Sequence, residues 1–205
     1  MTPSKNIGIT AGQIGKIQEL LGAALRKSGL LSEPTQQVLK HQGKQLADEF
    51  VAAVRKRVEA TSNMIARRVK ADRTKSPQQA LDATRRQQYT DRDVVEGMPK
   101  GELDEEDIYL FKPDLSARGG HISDDDLEKE FDARGFKPAD PYKLAKFNAD
   151  DPAFADEHPN GTHWKDATGR WCFAAFDRWF GGRLVYVNRH DDVWNDSCWF
   201  AGSRK

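Results

Sequence analysis

The sequence predicts an α+β protein in two parts, a helical N-terminal segment followed by a domain with an antiparallel sheet. Three observations carry that expectation. Apolar residues recur at helical spacing from Ile14 onward. The five tryptophans all lie between Trp164 and Trp199, whereas Phe50 is the only aromatic before Tyr89, so a large aromatic core is available only to the C-terminal part. After Pro159, short alternating segments are punctuated by Asn160-Gly161, Gly169 and Gly181-Gly182, which reads as strands joined by turns.

Thr10 and Gln13 have the spacing of a capping box, and Ile14, Ile17, Leu20, Leu21 and Leu25 follow on one helical face. Gly29 is a natural stop. A second helix opens at Ser32-Glu33-Pro34, where proline is tolerated in the first turn. Its apolar residues Leu39, Leu46, Phe50, Val54, Val58, Ile65 and Val69 recur in steps of four and seven. That makes one narrow stripe along about 50 Å of helix at 1.5 Å per residue. A stripe that long outruns a short partner helix, so residues 1–71 are expected to form a helical hairpin that self-associates into a homo-oligomer. Residues 72–104 read as a linker that passes from basic to acidic, with a break at Ser76-Pro77.

The domain is expected over residues 105–205. Asp107–Lys112 before Pro113 reads as a short strand. Ser123 caps a helix that runs to Arg134 and stops at Gly135. Asp140-Pro141 opens another, with a cap and a first-turn proline ahead of Tyr142, Leu144, Ala145 and Phe147. Strands then follow at Thr162–Lys165, Arg170–Trp179, Arg183–Arg189 and Ser197–Arg204, with a polar loop around Trp194 before the last. Helices first and strands after is the pattern of an α+β domain.

Composition narrows the function classes. The chain has 205 residues, 31% of them charged, and no apolar run of membrane-spanning length. Met1–Gly8 lacks the apolar core of a secretory signal, which makes the cytoplasm the expected location and a membrane partner unexpected. Two cysteines, Cys172 and Cys198, exclude a disulfide scaffold and an all-cysteine zinc site, leaving one Cys172–Cys198 bridge open. The net charge of zero hides a basic block, with eleven Lys/Arg against four Asp/Glu over residues 55–92, and an acidic one, with eight against nineteen over residues 93–157. No P-loop, dinucleotide fingerprint or nucleophile elbow occurs. Neither a cofactor nor a metal is expected. His158 and His163 lack a third ligand at suitable spacing, and Asp124-Asp125-Asp126 reads as first-turn acid favoured by a helix dipole.

Three segments carry a family resemblance: Phe136–Ala145, His158–Trp164 and Ala175–Trp179, joined by the ending Cys198–Lys205. Over residues 105–205 the chain resembles the C-type-lectin-like domains of bacterial proteins, some of them the variable proteins of diversity-generating retroelements. In those proteins adenine-directed reverse transcription rewrites codons on a ligand-binding face of a fixed scaffold. The resemblance implies that the strand at Ile108–Phe111 pairs with the C-terminal strand, and that the region just before that last strand meets the ligand. It also implies kinship with formylglycine-generating enzymes, which would need a reactive Cys172 or Cys198, and neither has a neighbouring cation to activate it.

Period two in Arg183–Arg189 sends Val185 and Val187 inward and displays Leu184, Tyr186 and Asn188. His190, Asp191, Asp192, Asn195, Asp196 and Ser197 continue as a polar loop around Trp194. These nine residues are the expected ligand-binding face. Their side chains suit adaptable contacts with a protein ligand, and no catalytic residue is expected. The competing reading is a nucleic-acid-associated regulator that uses a basic helix over residues 55–92, with Arg55, Arg67, Arg68 and Lys70 on the backbone phosphates.

Overall fold

A computed structural model describes residues 9–205; Met1–Gly8, on which the expectation of no secretory signal rests, lies outside the described residues. The chain divides after Thr61 into two compact units.

The first unit holds α1 (Ala11–Lys27) and α2 (Ser32–Thr61). Thr10 and Gln13 form the expected capping box, and Gly29 takes the left-handed conformation (φ 69°) that ends α1. No residue of either helix is buried, and Leu20, Leu25, Leu39, Leu46 and Val58 are each about half exposed. The expected long second helix stops early. Met64–Lys70 is a strand, β1, and there Ile65 and Val69 are buried in the second unit.

The second unit, Ser62–Lys205, is α+β with a largely antiparallel sheet. After β1 come α3 (Pro77–Asp82), β2 (Gln87–Thr90), α4 (Arg92–Glu96), β3 (Glu105–Phe111), β4 (His121–Ile122), α5 (Asp124–Ala133) and β5 (Phe136–Pro138). Then follow α6 (Pro141–Asp150), α7 (Phe154–Glu157), β6 (Asn160–Lys165), β7 (Trp171–Trp179), β8 (Gly182–Arg189), β9 (Trp194–Asn195) and β10 (Trp199–Arg204). The main sheet runs β1-β3-β10-β6-β7-β8-β2, with β5 alongside β10. Only β10–β6 and β2–β8 pair in parallel. β3 pairs antiparallel with β10, placing Phe111 opposite Phe200.

Period two sorts the side chains into two cores, one on each face of the sheet. Ile108 and Leu110 of β3, Ala174 and Phe176 of β7 and Ala201 of β10 belong to one, together with Leu81, Val94, Leu144 and Phe147 from α3, α4 and α6. Tyr109, Phe111 and Phe200 belong to the other, with Leu127 and Phe131 of α5 and Trp194. Cys172 and Cys198 fall in opposite cores, and both are free thiols, which rules out the bridge between them.

The expected linker 72–104 is folded. Ser76 and Gln79 form a second capping box, Asp91 caps α4, and Ala80, Leu81, Val94, Val95 and Met98 are buried. Its polar side chains make fixed tertiary contacts. Arg73 grips Asp140 through two hydrogen bonds of 2.8 and 2.9 Å, and Arg86 donates to the carbonyls of Asp177 and Pro152. Segments rich in Arg, Gln and Thr thus look like a linker only until their few apolar residues are counted as core.

Candidate functional site

The polar loop between β8 and β10 is built around one carboxylate. Ser123 caps α5 by accepting from the Asp126 amide, which sets Asp124 in the first helical turn, where the helix dipole favours an acid. Asp124 is buried all the same, its side chain 4% exposed. Three donors converge on it: His163 Nδ1 of β6 at 2.6 Å and Trp194 Nε1 of β9 at 2.9 Å on one oxygen, and His190 Nδ1 on the other. Burial opposes the charge of Asp124, but the three donors outweigh it and hold the carboxyl well below the usual carboxylate range. Burial also pushes His163 down; Asp124 and then Glu128 outweigh that and raise it above the ordinary histidine value. His163 Nε2 lies 3.0 Å from Glu128 Oε1 but out of line with it, so this buried nitrogen makes no hydrogen bond.

These contacts fix the foot of the loop and leave its crown free. Trp194 is buried, edge-on to Phe173 and Phe200, and its ring presses on Gly161 so closely that a Cβ there would sit 2.9 Å from Cζ3. β9 pairs with β4, with His121 opposite Asn195. Asp191, Asp192, Asn195, Asp196 and Ser197 are exposed. Two of them tighten the backbone: Asp192 accepts from the Val193 amide at 2.8 Å and Asn195 from the Ser197 amide at 2.9 Å. Asp196 lines a concavity of about 640 Å³ shared with Lys112, Asp114, Ser116 and Gly120.

Two of the nine expected face residues are not displayed. Leu184 is buried, 6% exposed, because β2 lies alongside β8 and shuts in what the alternation displays. His190 turns inward to Asp124 and serves as a tether. Tyr186 is half-buried and stacks on Tyr89 of β2 at 5.6 Å, and Asn188 donates to the Tyr89 carbonyl at 2.9 Å. Asp124, His163 and Glu128 escape a sequence reading. His163 stands 39 residues from Asp124 and His190 stands 66, so no local spacing links them.

The expected basic helix over residues 55–92 does not exist as one element. Arg55 lies exposed on α2, whereas Arg67, Arg68 and Lys70 belong to β1. Arg68 pairs with Glu105 and Asp107 on β3 at 3.1 and 3.5 Å, and Arg67 donates to the Ala66 carbonyl. The acidic block opposite in the sheet therefore takes up part of the basic one. Of the tryptophans expected in the core, Trp179 is 59% exposed. Burial pushes both cysteine thiols up, the opposite of an activated nucleophile. Among the described residues no cluster of three or more His, Cys, Asp or Glu has a metal-binding arrangement, and no helix is long and apolar enough to cross a membrane. Compared with known proteins, the chain matches no family model, no curated protein and no solved structure at a significant level.

Proposed function

We propose that the chain is a non-enzymatic binding protein whose second unit presents the 191–197 loop, flanked by Tyr186 and Asn188, to a protein ligand. One observation carries this reading: the loop's anchors, His190 and Trp194, are tied to a single buried carboxylate while five polar side chains between and beyond them stay in solvent. A loop held this way loses little conformational freedom on binding, so its exposed groups are spent on contact rather than on ordering. Asp, Asn, Ser and Tyr supply the adaptable hydrogen bonding and flat contact area that protein recognition uses. The concavity beside Asp196 gives a partner's side chain a place to enter.

The resemblance to C-type-lectin-like variable proteins supports the same reading, since there too the stretch ahead of the last strand meets the ligand. On that scaffold the gene would vary at adenines within codons 180–200. The N-terminal helices would associate between copies through the exposed Leu39, Leu46 and Val58 and the half-buried Phe50, which multiplies weak single contacts into avidity.

The test is a paired capture from cells of the source organism. The wild-type chain is compared with a variant carrying alanine at Asp191, Asp192, Asn195, Asp196 and Ser197. A protein held by the wild type and lost by the variant, then confirmed as a direct binder with purified components, supports the face. Equal retention of every captured protein by both rejects it.

A further inference from the structure

Two features at opposite ends of β7 are left without a role by the loop. The first is the hairpin tip joining β7 to β8. Phe180 and Gly181 both take left-handed backbone conformations, φ 47° and 81°, the turn that favours Asn-Gly. A bulky aromatic there is strained. Burial gives it little in return: Phe180 is 97% exposed, with Trp179 edge-on to its ring at 5.4 Å. Arg178 and Arg183 flank the tip, held at its base by Asp156 at 3.2 and 2.7 Å and each still about half exposed.

The second feature is a cavity of about 660 Å³ that includes Trp171, the first residue of β7. Its apolar wall includes Leu103, Pro138 and Trp164, and Leu103 is 56% exposed with no cover. Carboxylates of Glu102, Asp125 and Glu128 also line it, as do Lys137 and Lys165; Asp125 lies 3.9 Å from Lys165 and Glu128 3.0 Å from His163. Deeper in, the carboxylates of Glu106 and Asp140 already have cations, Lys143 and Arg73. Of the lining acids Glu102 makes no ion pair among the described residues and Asp125 only the long one, so Arg178 and Arg183 match the cavity in charge at those two, and the exposed aromatics of the tip match its uncovered apolar wall.

Trp171 and Trp179 are the first and last residues of one strand, about 27 Å apart at ~3.4 Å per residue, so a molecule cannot fill its own cavity. We propose that the cavity of one molecule receives the Trp179–Phe180 tip of a second copy, with Arg178 and Arg183 beside Glu102 and Asp125. The contact is head-to-tail and leaves a free tip and a free cavity at the two ends, so it propagates instead of closing as a twofold dimer would. Two aromatics bury about 150–250 Å² each, short of the ~800 Å² per partner of a stable interface, which makes the association weak and dependent on concentration.

The experiment is sedimentation velocity on the full chain across a wide concentration range, with Phe180→Asn and Leu103→Glu for comparison. Asparagine suits the left-handed turn, so loss of the contact in Phe180→Asn is not loss of the fold. Association through the N-terminal helices is common to all three proteins and cancels in the comparison. The expected result is a mass that rises with concentration beyond that of either variant, and an equimolar mixture of the two variants heavier than each alone. In that mixture the intact tip of Leu103→Glu meets the intact cavity of Phe180→Asn. A wild type indistinguishable from Phe180→Asn overturns the proposal, and so does a mixture no heavier than its separate components.

Discussion

Replacing Asp124 by asparagine keeps the shape of the clamp and removes its charge. The wild-type carboxylate accepts from His163, His190 and Trp194 and sits in the first turn of α5. Hydrogen bonds to a charged group contribute about 1.5–3 kcal/mol each. The amide oxygen can keep one or two of the three donors, while the amide NH₂ now faces a ring nitrogen. Losing roughly one charge-assisted bond, and about 0.3–1 kcal/mol of helix-dipole stabilisation, gives an expected cost of about 3 kcal/mol. The variant should therefore melt about 10 °C lower. The cost depends on pH. Asp124 is depressed in the folded state, so its contribution is present above the unfolded carboxylate value of about 4 and is lost as pH falls through the folded one. His163 is raised, so its contribution is complete below about 6.5 and is lost as pH rises through its folded value. The gap between wild type and Asp124→Asn should be widest from about pH 4 to 6.5 and narrow above that range. Urea unfolding followed by tryptophan fluorescence at several pH values measures it directly. A gap below about 1 kcal/mol, or one that stays constant from acid to alkaline pH, would refute the charge-assisted clamp.

Other outcomes follow from the same geometry. Gly161→Ala places a Cβ 2.9 Å from Trp194 Cζ3 and 3.2 Å from the Ala174 carbonyl. It should cost about 1–3 kcal/mol, read by thermal melting, and shift the Trp194 emission. Arg73→Lys loses the two-pronged grip on the largely buried Asp140 and the exposed bond to the Leu103 carbonyl. The expected loss of stability is about 1–3 kcal/mol, which denaturant titration would detect. Cys172 and Cys198 are buried, with thiols pushed up by that burial, so alkylation by iodoacetamide at mildly alkaline pH should be slow in the native protein and fast in urea. Mass spectrometry of timed samples distinguishes the two.

What could be read from the sequence was what is decided locally. Thr10, Ser123 and Asp140 cap helices because their side chains accept from amides three residues on, and Gly29 and Gly135 mark stops through their positive φ. Parity alone placed Val185 and Val187 inside. The misreadings occur where local signals are silent or double. Ile65 and Val69 are four apart, a spacing that fits both a helix face and one side of a strand. The choice falls to the strand because β3 offers a partner some forty residues away, with Glu105 and Asp107 opposite the arginines of β1. Leu184 is displayed by alternation and enclosed by topology, since β2 comes from a segment too polar to announce itself as part of the sheet.

Asp124 shows why a site is harder to read than a fold. In sequence it is one of three consecutive aspartates after a helix cap, and the helix dipole already accounts for all three. Its neighbours Asp125 and Asp126 behave as that account says: Asp125 is exposed and Asp126 pairs with Lys129 and Arg118. Only the pitch of α5 separates them, turning Asp124 toward the sheet, where β6, the end of β8 and β9 deliver His163, His190 and Trp194 to the same carboxylate. The charge that stabilises the helix start thus also fixes the loop ahead of the last strand. The exposed side chains at residues 191, 192 and 195–197 take no part in that clamp, so substitutions among them are expected to leave it in place while Asp124, His190 and Trp194 stay constant. For the binding face proposed above, that separation of crown from foot is what would let the exposed residues change while the loop keeps its shape, and a single buried carboxylate makes it.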